Sequence, residues 1–292
     1  GFLTLSGAVD ITLDGTNITN DGTTNWLSGN SNKLFRGTGQ FINNGTFNHA
    51  HGGSSDNVEF FNSVAFVNSA SGTLDFQDQG DLRLHDAANF LNSGLVLNSG
   101  AGGDPSFIFS TAGTTGGFAN LAGAEVRSEA GLLTVSTGGT SDAGSLWNAL
   151  NGDIQISGFN EWSGTFNGTA TGSGNFQIRD NGNGTVADNL SVGPGNIIFN
   201  ITGNGVEWSA GQIFTQGNTV TNTGVFEVDT GGTVVLSDAG GELINGAGGT
   251  FNHIDGSLSL SNGTILRNQG TLNYNGGDGK GYSGTGGVIN EV

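Results

Sequence analysis

The chain of 292 residues has no cysteine, no methionine, two prolines, and seven Lys and Arg against 25 Asp and Glu. Each shortage excludes something. Without cysteine there is no disulfide framework, a state that permits life outside a cell without demanding it. The 56 glycines come with almost no proline and no strict triplet, which excludes collagen. At a net charge of −18 there are too few Lys and Arg to hold phosphates, so nucleic acid is excluded as a partner. An anionic membrane face is disfavoured on the same ground. The acidity reads instead as solubility and self-repulsion outside a cell. No apolar run reaches 18 residues, so no segment inserts into a membrane as a spanning helix. No signal peptide is visible and the first residue is Gly1, which points to a processed product or an excised piece.

What is present is patterned. Hydrophobic residues make up 34% of the chain, little for a globule of this length, yet they gather in short alternating runs such as TLDF, GLVLN, DIQIS, VFEVD and SLSLS. Alternation of this kind marks strands with one buried face and argues against disorder. A stacked architecture suits such a chain, because its cylindrical core grows with every added turn.

The strongest signal is a phrase that returns: apolar, any residue, Asn, any residue, Gly, then a Thr-rich or apolar stretch. It reads ITNDGTT from Ile18, FINNGTF from Phe41, VTNTGVF from Val220 and LRNQGTL from Leu266. With the Asn as anchor it gives Asn20, Asn43, Asn68, Asn92 and Asn120, then Asn222, Asn245, Asn268 and Asn290. The intervals are 23, 25, 24 and 28, then 23, 23 and 22. A period in the twenties means stacked repeats. Anchors are harder to place between Asn148 and Asn222, where Asn189 is the candidate, and 100–117 reads as a longer loop. A second pattern overlies the first: Gly15–Asn43 matches Gly263–Asn290, including Lys33 against Lys280 and Trp26 against Tyr274. The spacing predicts that Trp26, Trp162, Trp208 and Tyr274 share one angular position.

These observations predict an all-β chain, one β-solenoid domain over residues 1–292, with about 12 coils of roughly 22–25 residues. Each coil holds two or three short strands paired in parallel with the coils above and below, roughly 4.8 Å apart, in a rod roughly 55–60 Å long. Asn and Gly mark the turn, where both tolerate a left-handed backbone, and stacked Asn amides form a ladder. Asn43, Asn222, Asn245 and Asn268 are expected at equivalent turns. Phe41, Phe47, Phe66, Phe76, Phe90 and Phe118 are expected in the core.

The FINNGTF and LRNQGTL phrases, with Trp-Ser-Gly and Gly-Thr-Gly segments between them, resemble the repeats of large bacterial surface proteins of the filamentous-haemagglutinin and autotransporter-passenger type. The resemblance covers most of the chain. It implies a right-handed parallel β-helix, export, and a role in adhesion or surface structure.

Polysaccharide lyases and hydrolases also use β-helices, and they need carboxylates, often with Ca²⁺, beside a base on adjacent coils. The best candidate cluster is Asp75, Asp78, Asp81, Arg83, His85 and Asp86, with His49, His51 and Asp56 one coil back and Asp104 one coil forward. In so acidic a chain it reads more simply as a solvated face. Gly276–Gly279 occurs once, whereas a calcium β-roll needs tandem copies. The Asn-x-Ser/Thr sites read as by-products of turn chemistry. An ice-binding face would need a regular Thr-x-Thr column, and the threonines are scattered.

The expectation is therefore a non-enzymatic extracellular stalk, fibre or adhesin segment, with no catalytic, cofactor-binding or metal residue assigned. The alternatives are a carbohydrate-active β-helix enzyme and a polysaccharide-binding surface protein. GTGGVINEV at the C-terminus stops inside a phrase that continues as NNGTF elsewhere, and GFLTLSG opens in strand alternation. The partner expected is thus the chain itself, end to end, or flanking repeats of a longer one.

Overall fold

The computed structural model describes residues 2–5, 9–27, 33–50, 57–78, 81–100, 106–110, 116–158, 160–179, 189–275 and 281–292. They contain no helix. Their 33 strands join one continuous sheet with parallel pairings between coils, so the fold is the parallel β-solenoid that the alternation predicts. Three strands make a coil. In the N-terminal half the first column stacks Asn17–Asn20, Gln40–Asn43, Ala65–Asn68, Asn89–Asn92, Phe118–Asn120 and Gly139–Ser141. The second begins with Phe2–Leu5 and Thr23–Leu27 and reaches Leu146–Ala149. The third runs from Val9–Leu13 through twelve levels to Thr271–Tyr274. At strand spacing that column is about 55 Å long.

Alternation decides which side chains turn inward. In Thr46–Ala50 the second and fourth residues, Phe47 and His49, are buried and their neighbours are not. All six predicted core phenylalanines are buried to within 1%. They stack coil upon coil: Phe41 on Phe66 with ring centroids 5.5 Å apart and Phe35 on Phe60 at 5.0 Å, joined edge-on by Phe47 and Phe90. Each such ring contributes about 1.5–3 kcal/mol by leaving water, and the well-oriented pairs about 0.5–1.5 kcal/mol more.

Each of the first five first-column strands ends, at its turn, on the asparagine. Asn20 donates its side-chain amide to Asn43 at 2.7 Å, Asn43 to Asn68, Asn68 to Asn92 and Asn92 to Asn120, each at 2.8 Å. The second N–H of Asn20, Asn43 and Asn68 goes to a backbone carbonyl of the next coil, on Thr46, Thr73 and Leu95, at 3.0 Å. Every amide points the same way along the axis. A second ladder repeats the arrangement through Asn222, Asn245, Asn268 and Asn290, at 2.8, 2.7 and 2.7 Å.

The glycine of the phrase has a different reason from the one expected. No ladder asparagine has a positive φ, and neither do Gly45, Gly94, Gly224 or Gly270. A Cβ on Gly45 would lie 2.0 Å from the Gly22 carbonyl oxygen, and one on Gly224 2.2 Å from that of Ile201. Glycine is required there because the coil beneath leaves no room for a side chain.

The two ladders are not one column. Asn120 pairs in register with Ser141, Ser141 with Gly164, Gly164 with Ile197, and Ile197 with Val220. That line reaches the C-terminal half two residues short of Asn222, so Asn43 is not equivalent to Asn222, Asn245 and Asn268. The change occurs in two long strands, Glu161–Ala170 and Leu190–Gly203, which run through the turn with Gly164 and Ile197 at the register position of Asn120. Beyond them, the strand that follows the asparagine turn continues the third column: Phe176 pairs with Val206, and Val206 with Phe226. Asn148 lies in the second column, and Asn189 accepts the Gln212 N–H through its side chain, so neither is a ladder anchor.

The aromatics divide as well. Trp208 and Tyr274 share the third column, through Val228 and His253. Trp26 is in the second, beside His49, and Trp162 continues the first, beside Gly139. The single angular position expected for all four is therefore not found.

Candidate functional site

Of the acidic cluster read from the sequence, His51, Asp56 and Asp104 lie outside the described residues. The others do not converge. Asp75 is in the second column and Asp81 and Arg83 in the third. Asp75 accepts the Ser99 hydroxyl at 2.7 Å and the Gln77 amide at 2.9 Å. Asp78 follows Thr73–Phe76 and is partly buried. His49 is an inward residue, fully buried, with Trp26 at 6.3 Å and Phe76 at 5.5 Å. Asp86 has a φ of 56° and accepts the Asn62 backbone N–H, which is a turn role.

What the fold does assemble is a smaller set on the third face. Arg83 pairs in register with Glu59, and its guanidinium lies 3.2 Å from Asp81 and 3.8 Å from Glu59. His85 Nε2 is 3.1 Å from Glu59, and the imidazole stacks on Phe61 with ring centroids 4.1 Å apart. The Arg36 guanidinium lies 4.2 Å from the same Phe61 ring. Burial pushes the Asp81 carboxyl up, against the opposing effect of the Arg83 hydrogen bond. Sequence reasoning missed Glu59, Phe61 and Arg36. The coil period could have placed Glu59 beside Arg83, 24 residues on.

A second acidic strip continues up the same face. Glu207 pairs in register with Glu227, two like charges one strand apart. Amides stand against them: Asn175 donates to Glu207 at 2.9 Å, Asn252 to Glu227 at 2.8 Å and Gln177 to Asp153 at 3.1 Å. Burial, then Asp229 and Asp153, raise the Glu207 carboxyl above the usual carboxylate range. Elsewhere Arg267 binds Glu242 at 2.9 Å and Glu291 at 2.5 Å. Arg127 binds Glu125 at 2.7 Å. These groups are partners of one another across and along the coils. Among the described residues no group of three or more His, Asp and Glu is placed to hold a metal ion. No helix there is long and apolar enough to cross a membrane.

No family model matches the chain, and no curated protein does. Among solved structures it is similar to a TibC-catalysed hyper-glycosylated fragment of TibA, at 14% identity and a TM-score of 0.27. The match covers 98% of this chain and 97% of that one.

Proposed function

We propose that this chain is a non-enzymatic structural and adhesive β-solenoid, a stalk, fibre or adhesin segment displayed outside the cell. Its partner in the axial direction is another coil stack, either flanking repeats of a longer chain or a second copy. The observation that carries the reading is the pair of asparagine ladders. Each amide donates to the next coil in one direction, over an unbroken aromatic core. Such a stack accepts any further coil that brings the same phrase in register, and stability in it is a sum of coil and interface contributions. The functional investment is in length and stiffness. The charged side chains support this, since Arg83, Arg127 and Arg267 are engaged by carboxylates along the coils.

The ion pairs on the surface are screened by solvent and add little to stability. They shape the face more than they hold the rod, and the acidic excess keeps neighbouring rods apart. Sedimentation and electron microscopy of the isolated chain, beside its native source material, test the proposal. Filaments, or rods that lengthen by end-on addition, are expected, with no release of sugar from polysaccharide substrates. A compact monomer that forms no fibre and cleaves a polysaccharide would overturn it.

A further inference from the structure

The first face carries a trough of about 630 Å³ that lies over the coils from Asn89 to Gln216. Register explains why it exists. Leu91, Ala119 and Thr140 stack outward on successive coils, while in the neighbouring outward row Asn89 is followed by Gly117 and Gly138. Small residues thus replace side chains at two consecutive levels. Gly138 cannot be larger, because a Cβ there would lie 2.5 Å from that of Asn160. Glu161 and Gln216 close the far end, next to the place where the first ladder gives way to the long strands.

Three polar side chains face this trough uncommitted. Thr140, Glu161 and Gln216 are exposed, and their side chains make no hydrogen bond with the described residues. Leu91 and Ala119, half-buried, give it an aliphatic floor. A shallow site of this volume with an apolar floor and a few convergent polar groups is built to hold a ligand. We propose that it binds a neutral, linear oligosaccharide lying along the solenoid axis. Sugar hydroxyls both donate and accept, which suits a carboxylate that only accepts and a hydroxyl and an amide that do both. The C–H face of a sugar ring covers Leu91 and Ala119. Glu161, in a chain of net charge −18, repels uronic or sulfated chains. The backbone of this face is paired coil to coil, so an extended peptide finds no free strand edge to join. The proposal rests on the adhesive reading and gives it a ligand class.

The test uses the whole chain with linear β-glucan, mannan and xylan hexamers, and with oligogalacturonate and oligolysine, by glycan array and titration calorimetry. Ala119→Trp fills the trough, Glu161→Gln removes its charge, and Thr202→Trp changes another face as control. Circular dichroism checks that each variant folds. At least one neutral hexamer is expected to bind, tenfold or more weakly to the Ala119→Trp protein and equally to Thr202→Trp. Binding of none of the neutral chains, unchanged binding by Ala119→Trp, or binding of oligolysine or oligogalacturonate alone overturns the proposal. An adhesion assay with the same variants separates the two ideas. Adhesion untouched by Ala119→Trp defeats the trough and spares the adhesive reading, whereas sugar binding without adhesion does the reverse.

Discussion

Asn222 stacks in register on Phe199, not on an asparagine. That pairing separates two ladders built from the same phrase. The chain therefore holds two blocks of coils whose asparagine turns fall at different places around the stack. Glu161–Ala170 and Leu190–Gly203 join them by running straight where a turn would otherwise be. The transition leaves its mark on the surface, because the trough of the first face lies beside it.

The ladders should dominate polar stability. Asn68 receives the amide of Asn43 and gives its own to Asn92 and to the Leu95 carbonyl, all in a buried site. Asn68→Ala leaves buried groups without partners and is expected to cost about 1–3 kcal/mol. Asn44→Ala removes only an exposed bond to Asp21 and is expected to cost under about 0.5 kcal/mol. Urea unfolding read beside amide exchange is the check, since a solenoid can open coil by coil.

Aromatic stacking should matter as much. Phe66 touches Phe41, Phe47, Phe60 and Phe90 and is fully buried. Phe66→Ala is expected to cost about 3–5 kcal/mol, with exchange rising first in the coils on either side.

Two glycines a whole repeat apart do the same work. A Cβ on Gly39 would lie 1.8 Å from the Thr16 carbonyl oxygen, and one on Gly286 2.0 Å from that of Thr264. The matching hydroxyls correspond too, Thr38 accepting the Gly15 N–H and Thr285 that of Gly263. Gly39→Ala and Gly286→Ala should both lower the melting temperature clearly. Gly246→Ala has 3.3 Å to its nearest neighbour and a negative φ, and should lower it least.

Acidity should act with two signs. Burial and the neighbouring Asp229 and Asp153 hold the Glu207 carboxyl above its ordinary value near 4.5. Its folded form therefore binds the proton more readily than the unfolded chain. The stabilisation is complete below that ordinary value and is lost as pH rises through the folded one. Glu207→Gln should make the protein more stable than the parent at pH 7, with the gain vanishing below about pH 4. Glu242 is held low by the Arg267 hydrogen bond. Its contribution is present above the ordinary value and disappears as pH falls through the folded one. Arg267→Gln should thus weaken the protein at pH 7, and by less and less as pH falls below the ordinary value. Melting curves across that range decide both.

Much of the fold was legible in the sequence because stacking is a local rule repeated. The Asn phrase marked the turns, and alternation in FINNGTF placed Phe41 and Phe47 inside. The same alternation places His49 inside, and reading it as part of a surface cluster overlooked that. The middle was not legible, because there the polar duties pass to other residues. Ser141 takes the place of an asparagine, donating to the Thr165 carbonyl at 2.7 Å and accepting the Trp147 indole N–H at 2.9 Å. A count of spacings treats every coil as beginning at the same angle. It could not show that Trp26 and Tyr274, which follow the same phrase, fall in different columns once the turn had moved.

The absence of cysteine allows the register itself to be tested. Ile198 and Thr221 are outward residues paired across adjacent coils. Neighbouring strands lie roughly 4.8 Å apart, within the Cα range that a disulfide bridges. The protein carrying Ile198→Cys and Thr221→Cys should oxidise readily to an intramolecular disulfide and keep its melting curve. The protein carrying Ile198→Cys and Thr223→Cys should not. A single unbroken asparagine column would set Asn222 on Ile197 and Thr223 on Ile198. Efficient bridging of 198 to 223, with none between 198 and 221, would contradict the two-ladder architecture.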